Sequence, residues 1–128
     1  MQTDKEPRGI LSIRTIAMPA NTNANGDIFG GWLVSLMDMG AQIEGQRHAH
    51  SRVVTVAIDG LVFIKPVYVG DTVCCYADLI KVGRTSMQFN MEVWTLAIQV
   101  KERTKVAEGK FTFVAIDENG KPQLVERE

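Results

Sequence analysis

NTNANGDIFGGWLVSLMDMG, residues 21–40, changes character at its centre. Asn21, Asn23, Asn25 and Gly26 are turn formers, whereas the run after Gly30-Gly31 is apolar and holds one acid, Asp38. Leu33, Leu36, Met37, Gly40 and Ile43 recur at helical spacing, with Trp32 and Val34 on other sides. This predicts a loop over 20–28 and a helix from about Gly30 to His48. Glu44, Gln46, Arg47 and His48 mark the wetter end. A helix so apolar through its first three turns is expected to be buried on most sides.

Working outward, the period changes from helical to alternating. Leu11 to Met18 reads as a strand ended by Pro19. After the helix come four more strand-like runs, Arg52–Ile64, Asp71–Val82, Thr85–Val100 and Val106–Ile116. In the third of these Met87, Phe89, Met91 and Val93 alternate with Gln88, Asn90 and Glu92. Short connections between long consecutive strands favour antiparallel hairpins. The expected fold is therefore α+β, an antiparallel sheet of about five strands curled around one long helix. The domain covers residues 10–117, with polar tails at 1–9, expected to fray, and at 118–128. Long apolar edge strands of such a sheet are expected to be covered by another subunit.

Composition narrows the function classes. At 128 residues the chain can bury a core without disulfides or a structural metal. A net charge of −1 argues against nucleic-acid binding, which needs a basic excess. The N-terminus has no signal-peptide pattern, and no apolar run is long enough to span a bilayer. A cytoplasmic protein without membrane attachment is the expectation. The two cysteines, Cys74 and Cys75, are adjacent, so on a strand they point to opposite faces and are poorly placed to chelate one metal or bridge each other.

The residues that can carry chemistry cluster around the opening stretch. Ser35, Asp38 and Gln42 form one polar stripe on the apolar helix, either facing water or placing a carboxylate at a subunit seam as base or nucleophile. Gly30 and Gly31 stand where helix-start amides lack intrahelical partners. They suit either close packing on the sheet or binding of a developing oxyanion. Asp27 reads as a helix cap or first-turn acid, and Asn23 as a loop residue that bonds local backbone or a substrate. His48 and His50 lack a third metal ligand in view, and no nucleophile-elbow or glycine-rich nucleotide motif occurs. Lys65, Lys81 and the turn Gly83-Arg84-Thr85-Ser86 supply cations and hydroxyls at strand ends, suited to phosphate oxygens or simply solvated.

Pro19, the run from Asn21 to Trp32 and the later Met37-Asp38-Met39-Gly40 together resemble the hotdog-fold acyl-CoA thioesterases of the bacterial YciA type. Arg52–Val56, Phe63–Pro66, Val69–Asp71, Cys74–Tyr76, Lys81–Arg84 and Phe111–Ala115 extend the resemblance over roughly residues 10–117. The resemblance implies a long helix wrapped by an antiparallel sheet, dimers with a continuous sheet, and hexamers built as trimers of dimers. It implies hydrolysis of acyl-CoA thioesters of varied chain length, with no cofactor beyond the coenzyme A of the substrate. The helix aspartate of the family matches Asp38, facing the thioester from the neighbouring subunit. The amide of Gly30 or Gly31 matches the oxyanion donor. Two-domain relatives carry Asn at the position of Asp27, and some relatives carry His at the position of Phe29, so a His-assisted route is not implied. Lys65, Gly83, Arg84, Thr85 and Ser86 become candidates for the pantetheine and nucleotide end, and Asn23 and Asp27 for positioning water or the carbonyl. The other readings are a hydroxyacyl dehydratase, which would need a His in this block, and a non-catalytic acyl-CoA sensor, which would not need Asp38.

Overall fold

The computed structural model describes residues 6–125. Five strands and one long helix follow one another as β1 (Ile10–Ile16), α1 (Gly30–Ala49), β2 (Arg52–Phe63), β3 (Thr72–Val82), β4 (Ser86–Leu96) and β5 (Thr104–Ile116). The strands form one antiparallel sheet in the order β1-β3-β4-β5-β2, and α1 packs against all five. This is the expected helix wrapped by a five-stranded sheet.

The alternation of β4 explains how the helix is held. Met87, Phe89, Met91 and Val93 point to one side and are fully buried with Phe111 and Phe113 of β5. They close on Leu33, Leu36, Met37 and Ala41 of α1. Each large apolar side chain so buried contributes about 1.5–3 kcal/mol before the cost of ordering it. At the helix midpoint a glycine allows close packing. A Cβ on Gly40 would stand 3.2 Å from Cys75 Sγ and 3.4 Å from Met91 Cε. The Ser12 hydroxyl donates to the Gly40 carbonyl at 2.8 Å, tying the same point to β1. The turn that carries Asp38 is thus fixed at close range to the sheet.

Three local expectations are corrected. The hairpin reading holds for β3–β4 and β4–β5, but β2 pairs with β5 and not with β3. The connection over 64–71 carries the chain past the helix start, anchored by buried Val67, whose carbonyl accepts from the Ile28 amide at 2.9 Å. The helix is also less enclosed than its composition suggests. Met39 and Ile43 lie on an open flank at 54% and 42% exposure, because the apolar stripe is wider than one sheet can cover. Finally, the C-terminal tail does not simply leave the domain. The Val125 amide donates to the Arg84 carbonyl at 2.8 Å, and the Val125 side chain joins the core. Of the N-terminal tail, residues 1–5 lie outside the described residues, and Arg8 reaches Glu92 at 3.1 Å.

Two strands are left as edges. β1 is short, whereas β2 spans 12 residues and exposes Val54, Val56, Ile58, Val62 and Phe63. A long apolar edge with unpaired backbone groups invites strand pairing with a second chain. Among the described residues no helix is long and apolar enough to cross a membrane.

Candidate active site

The loop before α1 is built from its own side chains. Asn23 Oδ1 accepts from the amides of Asn25 at 2.8 Å and Asp27 at 3.2 Å, and the Asn23 amide donates to the Asp27 carbonyl. Gly26 takes a positive φ of 86°, which closes the turn. Asn23 is therefore committed to the loop through its carbonyl oxygen, leaving its amide group to donate elsewhere. The Asp27 side chain does not cap the helix. Phe29 occupies the cap position and supplies no side-chain hydrogen bond. Asp27 is half-buried, and its carboxylate meets no partner among the described residues.

This leaves the start of α1 electrophilic. Neither a capping side chain nor an acid in the first turn offsets the positive end of the helix. Gly30 and Gly31 occupy its first two positions, where amides have no intrahelical acceptor. The Phe63 ring closes over Gly30, so that a Cβ there would meet it at 3.3 Å. The glycine keeps an approach to the amide narrow and backbone-lined.

Asp38 lies two turns further on. Its carboxylate is half-buried, and Oδ1 accepts a 2.6 Å hydrogen bond from the Thr55 hydroxyl on β2. A charge-assisted bond this short fixes the carboxylate rotamer and leaves Oδ2 for a reacting atom. Ser35 and Gln42 of the same stripe are exposed, whereas Asp38 is half-buried and held by the sheet through one oxygen. Thr55 is the functional candidate that sequence reasoning missed. A β-branched residue within RVVTVAID reads as ordinary strand, and only the tertiary pairing brings it to Asp38. Thr55→Val keeps the shape and removes the donor. It is expected to lower kcat about tenfold or more, at nearly unchanged KM, in a steady-state assay of thioester hydrolysis.

One chain does not assemble these parts. Gly30 and Asp38 are separated by eight residues of a continuous helix, or about 12 Å along its axis. A thioester carbonyl within hydrogen-bond distance of the Gly30 amide is out of reach of Asp38 in the same chain. The candidate phosphate binders are divided as well. Lys65 follows β2 beside the start of β5, where its amide and that of Ile64 reach the Val106 carbonyl. The turn Gly83–Ser86 sits at the far end of β5, where the Ala115 amide donates to the Thr85 carbonyl. Nine residues of strand separate those ends, about 30 Å. Within the turn, Gly83 donates to the Ser86 carbonyl at 2.8 Å, while the Arg84 side chain projects into solvent. His48 tilts against Phe89 with ring centroids 6.3 Å apart, a packing role.

Known proteins share this fold. The thioesterase superfamily model matches residues 25–101, from the second half of the loop through the helix and strands β2 to β4. The acyl-CoA thioester hydrolase YciA of Salmonella typhimurium is 52% identical over 123 residues, covering 94% of this chain and 92% of its own. The crystal structure of the hexameric thioesterase y2039 from Yersinia pestis superposes with a TM-score of 0.90 at 53% identity, over 95% of this chain and 99% of that one. HI0827, a hexameric broad specificity acyl-coenzyme A thioesterase crystallised as an aspartate-to-alanine mutant, gives a TM-score of 0.91 at 51% identity, over 94% and 89%. On its fold, the family match and about 50% identity over nearly its whole length, the chain belongs to the thioesterase superfamily, as a hotdog-fold member of the YciA type.

Proposed function

We propose that the protein hydrolyses acyl-CoA thioesters over a broad range of acyl chains, at sites shared between two copies of the chain. The observation that carries this reading is the Asp38–Thr55 pair standing about 12 Å along one helix from the uncapped Gly30-Gly31 amides. A two-fold axis beside β2 supplies the missing proximity. Identical edge strands related by such an axis pair antiparallel. That pairing sets the Lys65 end of one chain beside the Arg84 end of the other. It also covers the open β2 edge and sets the exposed flank of α1 toward the seam.

The chemistry then follows from the groups present. The thioester carbonyl accepts hydrogen bonds from Gly30 or Gly31 of one chain, and the helix start stabilises charge as it gathers on that oxygen. Asp38 of the other chain takes a proton from water as the water oxygen attacks the carbonyl carbon. Alternatively its free oxygen attacks directly, giving a mixed anhydride that water cleaves. In either route the C–S bond breaks and coenzyme A leaves as a thiolate that takes up a proton. Asp27 and the Asn23 amide group flank the carbonyl side. Lys65 of one chain, with Gly83, Arg84, Thr85 and Ser86 of the other, takes the pantetheine and nucleotide end. Met39 and Ile43 line the acyl path. The dimers associate further as a trimer of dimers.

Release of free thiol from a panel of acyl-CoAs, from acetyl to palmitoyl, tests the reading. Turnover of several chain lengths supports it. Tight binding without thiol release at any length would replace it with the acyl-CoA sensor.

A further inference from the structure

The sheet has a second face, away from the helix, and its register builds a different site there. Arg14 of β1 stands opposite Cys74 of β3, Cys74 opposite Trp94 of β4, and Trp94 opposite Lys105 of β5. The neighbouring row runs Tyr76, Glu92 and Glu108. Cys74, Tyr76 and Trp94 form an apolar cluster separate from the main core, although an outer sheet face is ordinarily polar. They floor a cavity of about 280 Å³, walled by Arg14, Thr95 and Arg103.

The charges on this face divide unequally. Glu92 is fully buried and accepts from Trp94 Nε1 at 2.8 Å and from Arg8 Nε at 3.1 Å, with Lys105 Nζ at 3.6 Å. Glu108 is taken by Arg8 and Lys105. Both carboxylates are thus occupied by Arg8 and Lys105. Arg14 and Arg103 meet no carboxylate among the described residues. The Arg103 guanidinium donates only to the Tyr76 hydroxyl, at 3.3 Å, and Arg14 leans on the Cys74 sulfur, a contact that raises its pKa further. Two guanidinium groups without counter-ions therefore overlook an aromatic floor.

We infer that this outer-face cavity is a binding site for a small organic anion, a carboxylate or phosphate monoester carried on a flat apolar body. The guanidinium groups clamp the anionic head, and Trp94 and Tyr76 take the body. At about 280 Å³ the volume falls just below the usual range of ligand pockets, about 300–1,000 Å³, and is too small for a whole coenzyme A. The site faces away from Asp38, and the inference does not rest on the thioesterase reading.

Calorimetric titration of the full chain with benzoate and with phenyl phosphate tests it, with benzamide as the neutral control. Saturable binding of at least one anion is expected, with Kd on the order of 0.1 mM, and none of benzamide. The stronger of the two anions identifies the head group. Arg14→Gln and Arg103→Gln should each weaken it about tenfold, while Arg103→Lys, which keeps the charge and loses the fork, falls between. Location is read from backbone amide chemical shifts, which the bound anion should move at Arg14, Cys74 and Arg103 and leave unmoved at Asp38, on the other face. The inference is overturned if no anion saturates, if both glutamine variants bind as the wild type does, or if the Arg14, Cys74 and Arg103 amides do not shift. It is also overturned if the glutamine variants change the oligomeric mass, which would make this face an interface between copies.

Discussion

Asp38→Asn is expected to lower kcat for acyl-CoA hydrolysis about a thousandfold, with little change in KM or in oligomeric mass. The substitution keeps the side-chain shape and keeps Oδ1 as an acceptor for the Thr55 hydroxyl, so the contact between α1 and β2 survives. What it removes is the negative charge and the basic or nucleophilic oxygen on the open side of the helix. General-base or nucleophilic assistance of that kind contributes about 10²–10⁴ in rate, and nothing else near Asp38 on α1 can replace it. Ser35 and Gln42, its neighbours in the stripe, do not ionise. Steady-state thiol release on a short and a long acyl-CoA measures the effect, and light scattering checks assembly. Turnover within a factor of a few of the wild type, in a protein of unchanged mass, would remove Asp38 from the mechanism. The two substitutions also separate two roles. Thr55→Val loosens a carboxylate that is still present, whereas Asp38→Asn fixes a group that can no longer accept the proton.

How far the sequence carries this argument depends on the range of each interaction. The start of α1 is legible because Gly30-Gly31 and the apolar spacing after them are local signals. The strands β3 to β5 are legible because alternation and short turns are local too. The partner of β2 is not, since no feature of RVVTVAIDGLVF distinguishes pairing with β3 from pairing with β5. The connection over 64–71, anchored by buried Val67 against the helix start, carries the chain away from β2, and that is a tertiary contact. Thr55 is hidden for the same reason, being 17 residues from Asp38 along the chain. The Asp27 cap reading follows the usual habit of acids before helices, yet Asn23 captures the Asp27 backbone and Phe29 takes the cap. The exception also matters for chemistry, because a capped helix start would have its amides already occupied. The absence of a cap at Gly30 is the one feature of the loop that propensity argues against and that oxyanion binding needs.

A site shared between two chains, as proposed, allows a stronger test than any single substitution. Gly30→Pro should abolish activity with the fold retained, because Pro is well tolerated at the first helical position while its nitrogen carries no hydrogen. The nearest obstacle to its ring is the exposed tip of Phe63, which can turn aside. Chains carrying only Gly30→Pro lack the Gly30 N–H at every site, and chains carrying only Asp38→Asn lack the carboxylate at every site. A dimer with one chain of each kind differs. At one of its two sites the intact Gly30 comes from the Asp38→Asn chain and the intact Asp38 from the Gly30→Pro chain, so that site is whole. At the other site both groups are lost. Random assortment makes about half the dimers mixed, each with one working site of two, so co-expression should recover about a quarter of wild-type activity from two inactive parents. If Asp38 and Gly30 served the same site from within one chain, no mixture would recover anything. The roughly 12 Å of helix between them makes recovery the expected result. A co-expressed mixture, confirmed as mixed by mass spectrometry, that stays as inactive as its parents would place the complete site within a single chain, whereas an active Gly30→Pro parent would take the Gly30 amide out of the oxyanion role.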